Sequence, residues 1–169
     1  MEIREERKSD IEQITYVTRE AFKNVEISQK TEEYIILSLR KSGNLTISLV
    51  FEKDEEIIGH IAFSPIEISD GSKDWYGLGP ISVLPEYQKT GIGSKLVQEG
   101  LERLEKMGGK GCVLVGDPNY YQRFGFKNVK QLKFEGVPEE VFMSLSFTEE
   151  IPNGIVKFDK GFLATKENS

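Results

Sequence analysis

The 169-residue sequence predicts an α/β domain: a mixed, mostly antiparallel sheet with helices on both faces. Three observations predict it. Strand-like runs follow one another without interruption between residues 45 and 84, which is the pattern of an antiparallel meander. Strand, amphipathic helix and strand then occupy 76 to 115, which calls for a right-handed crossover and one parallel pair. Helical periodicity lies both before and after the meander, so each face of the sheet has a cover.

The elements follow in order. After a short strand around Ile3, Ser9-Asp10-Ile11-Glu12 reads as a capping box. Ile11, Ile14, Val17 and Phe22 then recur at helical spacing up to about residue 22. A second helix runs from Thr31 to Ser42, with Gly43 as its stop. Strands follow at 45–52 and 56–68, separated by the turn Lys53-Asp54-Glu55, and Asp70-Gly71 marks a hairpin. The third strand, 73–84, contains Gly77, Gly79 and Pro80, so it is expected to be bulged or paired on one side only. Ile92, Leu96, Val97, Gly100, Leu101, Leu104 and Met107 form one stripe of a helix closed by Gly108-Gly109. A buried strand at 111–115, a short helix at 119–124 and strands near 142–147 and 154–158 complete the domain.

Composition narrows the function classes. Hydrophobic residues make up 38% and charged residues 30%, the mix of a globular chain able to bury one core, and a single domain over 1–169 is expected. A net charge of -6 argues against nucleic acid or an anionic membrane as a partner. One cysteine, Cys112, excludes an intrachain disulfide, and one histidine, His60, excludes a paired-histidine metal site, so no metal is expected. The first residues carry mixed charges with no apolar core behind them, and no apolar run is long enough to span a bilayer. A cytoplasmic location is the expectation.

The most informative stretch is Gln88-Lys89-Thr90-Gly91-Ile92-Gly93, set between a strand and a helix. Two readings compete: an ordinary strand-to-helix turn, or a phosphate cradle in which glycines let free N–H groups approach an anion. A P-loop is excluded because Ser94-Lys95 has the wrong order after Gly93. A dinucleotide fingerprint is excluded because Leu96 stands where its third glycine belongs.

The segment resembles the Gln/Arg-x-x-Gly-x-Gly/Ala motif of the GNAT superfamily of N-acetyltransferases. Tyr120-Tyr121-Gln122-Arg123-Phe124-Gly125-Phe126 resembles that family's aromatic-Tyr-x-x-x-Gly-Phe signature, and from Asp117 onward it is similar to the YhbS-like group of predicted acetyltransferases. The element order matches as well, over nearly the whole chain. The resemblance implies a GNAT-like sheet splayed between its two parallel strands, which gives Gly79-Pro80 a reason. It also implies acetyl-CoA as co-substrate. Gln88, Lys89, Thr90, Gly91, Ile92, Gly93 and Ser94 would hold its pyrophosphate, Ile81, Ser82 and Val83 would pair with its pantetheine arm, and Asn119 and Tyr121 would complete its site. Tyr121 would be the general acid that protonates the leaving thiolate, and a backbone N–H near Ile81 or Ser82 would serve the oxyanion.

The general base is not assigned by the sequence, since 75–84 contains no carboxylate. His60 reads as a core histidine or as a base; Glu26, Glu32 and Glu33 as a solvated face or as acceptor-site residues; Asp117 as a turn residue or a substrate contact. Cys112 reads as a buried core residue, so direct attack in a ternary complex is expected rather than a covalent intermediate. The partner expected is an amine-bearing acceptor, with the chain a monomer or homodimer. The alternative function is a non-catalytic acyl-CoA-binding sensor. The aromatics of the C-terminal third (Phe134, Phe142, Phe147, Phe158 and Phe162) read as core cover or as a dimer face, with core the expectation, and the acceptor pocket is expected at the loop after the first helix and the C-terminal strands.

Overall fold

A computed structural model describes all residues from Met1 to Ser169. The elements are β1 (Glu2–Glu5), α1 (Ile11–Phe22), α2 (Glu32–Ser42), β2 (Ile47–Lys53), β3 (Glu56–Pro65), β4 (Glu67–Ile68), β5 (Trp75–Val83), α3 (Ile92–Lys106), β6 (Gly111–Val115), α4 (Pro118–Tyr121), β7 (Leu132–Lys133), β8 (Phe142–Ser146) and β9 (Gly154–Lys157). Six strands form the main sheet in the order β1-β2-β3-β5-β6-β8, and β4-β9-β7 form a small second sheet. Within the main sheet only β5 and β6 run parallel; every other neighbour is antiparallel. The predicted fold class holds.

Strand alternation explains how the two faces are covered. The side of β3 at Gly59 meets Leu96 and Ile92 of α3, whereas the next residue, His60, is joined through Ser48 and Glu6 to Arg40 of α2. α3 therefore lies on one face, and α1 with α2 on the other. Ile14, Val17, Leu49, Ile58, Ile61, Phe63, Leu96 and Leu104 belong to one buried cluster running through the sheet. A second cluster, around Trp75, Val113, Phe142 and Val156, joins the small sheet to the end of the main one.

Three local expectations are corrected. Asp10, not Ser9, stands at the N-cap position of α1, and its side chain closes the preceding turn instead of the capping box expected from Ser9 and Glu12. A short 3-10 turn over Lys8–Asp10 precedes the helix, and the Asp10 carboxylate accepts from the Arg7 N–H at 2.7 Å. Asp10 can sit there, 4% exposed, because the Arg4 guanidinium donates to it at 2.7 and 3.1 Å and to Glu52 at 2.6 Å. The same guanidinium holds its carboxyl below the ordinary range. The second correction concerns residues 56–68, which do not make one strand. β3 ends at Pro65, which has no N–H to offer on the β2 side, and β4 crosses to the small sheet to pair with β9. The Asp70-Gly71 turn therefore belongs to a longer excursion between β3 and β5, not to a tight hairpin. Finally, the predicted helix at 119–124 is split: α4 passes into a 3-10 turn over Gln122–Phe124, closed by Gly125.

The cap can be tested by substitution. Asp10→Ala removes the carboxylate that fixes the turn before α1 and one of the two acidic partners of a nearly buried arginine, so urea unfolding should report a loss of about 2–3 kcal/mol. Ser9→Ala should stay within about 0.5 kcal/mol of the parent.

Candidate active site

β5 and β6 pair only through Trp75↔Gly111, Tyr76↔Cys112 and Gly77↔Val113. Beyond Gly77 the strands part. Gly79-Pro80 interrupts the register on β5, where Ile61 and Phe63 of β3 oppose Ile81 and Leu78. Pro80 has no N–H to offer either neighbour. β6 meanwhile stays paired with β8 as far as Val115↔Phe142, so β6 does not follow β5. The result is a wedge-shaped gap between 80–83 and the end of β6.

The polarity of the gap follows from alternation along β5. The Leu84 N–H donates to the Ile58 carbonyl at 2.9 Å, so Leu84 and Ser82 direct their peptide groups toward β3. Ile81 and Val83 therefore direct theirs into the gap, with no strand to receive them. One of these groups is taken: the Gln88 side chain donates to the Val83 carbonyl at 2.9 Å and folds the loop back against the strand.

The loop is shaped to leave its donors free. The Gln88 N–H is bound to the Pro85 carbonyl, and the Thr90 hydroxyl donates to the Tyr87 carbonyl, which fixes the turn. Lys89 and Gly91 have φ of 64° and 91°, and α3 begins immediately after. At Gly91 a Cβ would meet nothing within 4 Å, so glycine is favoured by the left-handed backbone and not by crowding. From Lys89 to Ser94, six successive amides donate to no protein atom. They form an anion cradle at a helix start, which suits a pyrophosphate. Of the residues expected to act through their N–H groups, Gln88 alone is already engaged and serves as the latch.

Tyr121 stands on α4 at the mouth of the gap. Its ring packs edge-on against Tyr120 at 4.9 Å and Phe126 at 6.1 Å, and its hydroxyl has no protein partner. Burial above all, with Tyr120, Cys112 and Asp117 adding to it, pushes its pKa up to about 12, so the phenol keeps its proton at neutral pH. Tyr120 instead fastens α4 to α3, its hydroxyl 3.1 Å from Ser94 Oγ. Asp117 is the N-cap of α4, accepting from the Asn119 N–H at 2.9 Å, which is the turn reading; Asn119 is exposed beside it.

On the α1 and α2 side the gap opens into a cleft of about 840 Å³, lined by Ile81, Val115 and Tyr121 and by residues of α1, α2 and the C-terminal segment. The sequence points to the C-terminal strands as one side of this cleft but does not assign its lining residues. The signal was present in the aromatics of the C-terminal third, which were read as core.

The acetyltransferase (GNAT) family model matches residues 10–126, more than half of the chain. The chain belongs to the GNAT acetyltransferase family. Among solved structures, a GNAT family acetyltransferase from Brucella melitensis in complex with acetyl-CoA is 45% identical, with a TM-score of 0.86 over 95% of this chain and 97% of that one. The GNAT family N-acetyltransferase YhbS from Escherichia coli, in complex with CoA, is 30% identical, with a TM-score of 0.88 over 96% of this chain and 91% of that one. The curated sequence of Escherichia coli K12 YhbS, described as an uncharacterized N-acetyltransferase, is 39% identical over 97 residues. That alignment spans 57% of this chain and 58% of the length of the relative. No helix of the chain is long and apolar enough to cross a membrane.

Within this GNAT fold the candidate bases separate clearly. Glu33 is buried and bound to Arg19 at 2.9 Å, and Glu26 is exposed and outside the cleft wall. Glu32 lines the cleft. His60 is fully buried and does not reach it. Ser48 gives its one hydroxyl proton to Glu6, so it accepts from His60 at 2.8 Å; this fixes the proton on Nε2 and leaves Nδ1 as a bare acceptor. Across the strand pair from His60, Ser82 turns its hydroxyl into the same buried layer, also without a partner. Burial first, opposed by Glu6 and aided by Arg40, depresses the His60 pKa to about 4. Glu6 is half-buried, and hydrogen bonds from Arg40 and Ser48 outweigh the cost of that burial and keep its carboxyl below the ordinary range. This network joins β1, β2, β3 and α2, and its role is structural. Cys112 is likewise out of reach: it is fully buried on β6, and burial pushes its thiol far up.

The histidine sets a pH dependence of stability. Between about pH 4 and 6.5 the unfolded chain binds a proton at His60 that the folded chain does not. The associated stability, about 3 kcal/mol, is complete above pH 6.5 and is lost as pH falls toward 4. Urea titrations across this range should show that loss, and His60→Gln should flatten the slope. An unaltered slope in the variant would remove His60 as its source.

Proposed function

We propose that this protein moves the acetyl group of acetyl-CoA to a primary amine by direct attack in a ternary complex. The observation that carries this reading is the parting of β5 from β6, because three functions converge on the gap it opens. The free amides of Lys89 to Ser94 suit the pyrophosphate of the donor. The unpaired peptide groups of Ile81 and Val83 suit an extended arm lying against β5 as an added strand. Tyr121 stands at the far end with a proton to give. The resemblance to CoA-bound and acetyl-CoA-bound relatives over nearly their whole length supports the same assignment.

The donor supplies an activated acetyl thioester, and the residues here do the rest. The inward N–H of Ile81 stabilises the oxyanion that forms when the amine nitrogen bonds to the acetyl carbon. Tyr121 donates its proton to the departing sulfur as the carbon–sulfur bond breaks. The attacking amine sheds its extra proton to water, since no carboxylate lies on β5 and His60 is sealed in the core. A covalent acyl-enzyme has no candidate nucleophile in Cys112.

Three outcomes test the reading. Acetyl-CoA should raise the melting temperature, and thiol release should appear with a suitable amine; a shift with no release on any amine would favour a binding module. Tyr121→Phe should lower kcat by roughly 100-fold with KM for acetyl-CoA nearly unchanged. With Tyr121 raised to about 12, kcat should climb as the amine deprotonates and show no alkaline decline up to about pH 10.

A further inference from the structure

The cleft beyond Tyr121 has a composition that selects among amines. Its floor is Ile81 and Val115, and its outer wall is built from the C-terminal third. Phe134, Phe158 and Phe162 form a chain of rings, with centroids 4.9 Å apart for Phe134 and Phe158 and 5.2 Å for Phe158 and Phe162. The wall is held rigidly. A Cβ at Gly77 would lie 2.8 Å from the Phe158 ring, so the glycine lets that ring sit on β5 beside the point where the strands part. Asp159 caps the following turn by accepting from the Gly161 N–H at 2.8 Å, and it also accepts from Asn44 at 2.7 Å. Val115 and Leu163 face the cleft while 45% and 78% exposed, an amount of bare apolar surface that a bound apolar group would cover.

Charge in the cleft is sparse and ordered. Two carboxylates line it, Glu32 and Asp159. Each oxygen of Asp159 already accepts a hydrogen bond from its own donor, the Gly161 N–H and the Asn44 amide. Glu32 accepts only from the neutral Ser28 hydroxyl and has no ion-pair partner, whereas its neighbour Glu33 is matched by Arg19. Glu32 has a single hydroxyl proton shared between its two oxygens, so it is the carboxylate of the cleft with the greater capacity left for a cation. Lys157 and Lys160 also line the cleft, and they disfavour a second positive charge on the ligand.

From this arrangement we infer that the acceptor is a monoamine on an apolar, aromatic-sized body, its ammonium recognised by Glu32 and its body held against Phe158, Phe162 and Leu163. The inference rests on the acetyl-transfer reading above and adds the acceptor class to it. Glu32 collects and orients the cation that the amine is at neutral pH, and the attacking species is its conjugate base. Polyamines and aminoglycosides carry extra cations and little apolar surface, so they meet the lysines and leave the aromatic wall uncovered.

The test uses the full chain with saturating acetyl-CoA and follows thiol release with phenethylamine, tryptamine, spermidine and kanamycin. The two arylalkylamines should exceed the two polycations at least tenfold in kcat/KM. Glu32→Gln and the surface change Leu163→Ser should each raise KM for phenethylamine several-fold to about tenfold, leaving kcat and the acetyl-CoA melting shift near the parent values. Faster turnover of spermidine or kanamycin, or an unchanged phenethylamine KM in both variants, would overturn the acceptor assignment while leaving acetyl transfer intact. Absence of an acetyl-CoA melting shift, or of thiol release with every amine, would instead overturn the transfer reading and this inference with it.

Discussion

Backbone peptide groups inside a sheet need partners, and the architecture turns on one place where two neighbouring strands stop supplying them to each other. β5 and β6 share three residue pairs and then diverge. The divergence is stable because each strand has another neighbour to hold it: β3 continues along β5 as far as Val83, and β8 continues along β6 as far as Val115. A gap lined by inward N–H and carbonyl groups, with a main chain fixed on both sides, is a template for an extended ligand. The loop at 88–94 and Tyr121 are arranged around that gap, one at each end.

The two sides of the sheet then divide the work. α3 starts at the donor loop and packs on one face, so the free amides at its N-terminus sit on a rigid helix. α1 and α2 cover the other face, where the cleft opens. The small β4-β9-β7 sheet and the turn after it serve that second side by carrying an aromatic wall to the gap. Half-buried to buried polar networks hold the frame: Arg4 with Asp10 and Glu52 at one edge, and Arg40 with Glu6, Ser48 and His60 between sheet and helix. Removing one partner from either set exposes the others to the full cost of burial, which is why both are expected to be sensitive to substitution.

Much of this was legible in the sequence because local chemistry and tertiary structure agree there. The stripe from Ile92 to Leu104, the crossover from 76 to 115 and the glycine-proline pair in β5 each have one sensible physical reading, and the structure adopts it. The motif singled out Tyr121, which the structure places in the cleft wall, and its protonated state follows from burial that the sequence does not display. The failures have a common cause. Asp10 displaced Ser9 as the cap because Arg4, six residues earlier, makes a buried carboxylate tolerable; the capping rule looks only at its own turn. Pro65 diverted a strand whose hydrophobic pattern ran on to Ile68, because β9, nearly ninety residues away, offers a second sheet. The aromatics of 134–162 were correctly read as apolar packing, but the same rings that close the second core also form a cleft wall. Periodicity shows that a ring is needed there and cannot show which of its faces stays open.

The central claim, that the unpaired backbone along the gap and its loop receives the acetyl donor, is tested most directly by amide hydrogen exchange with and without acetyl-CoA. Exchange at Lys89 to Ser94 and at Ile81 should be rapid in the free protein, with marked slowing confined to those amides and their neighbours when acetyl-CoA is added. Binding that slowed exchange elsewhere and left those amides as fast as before would contradict it.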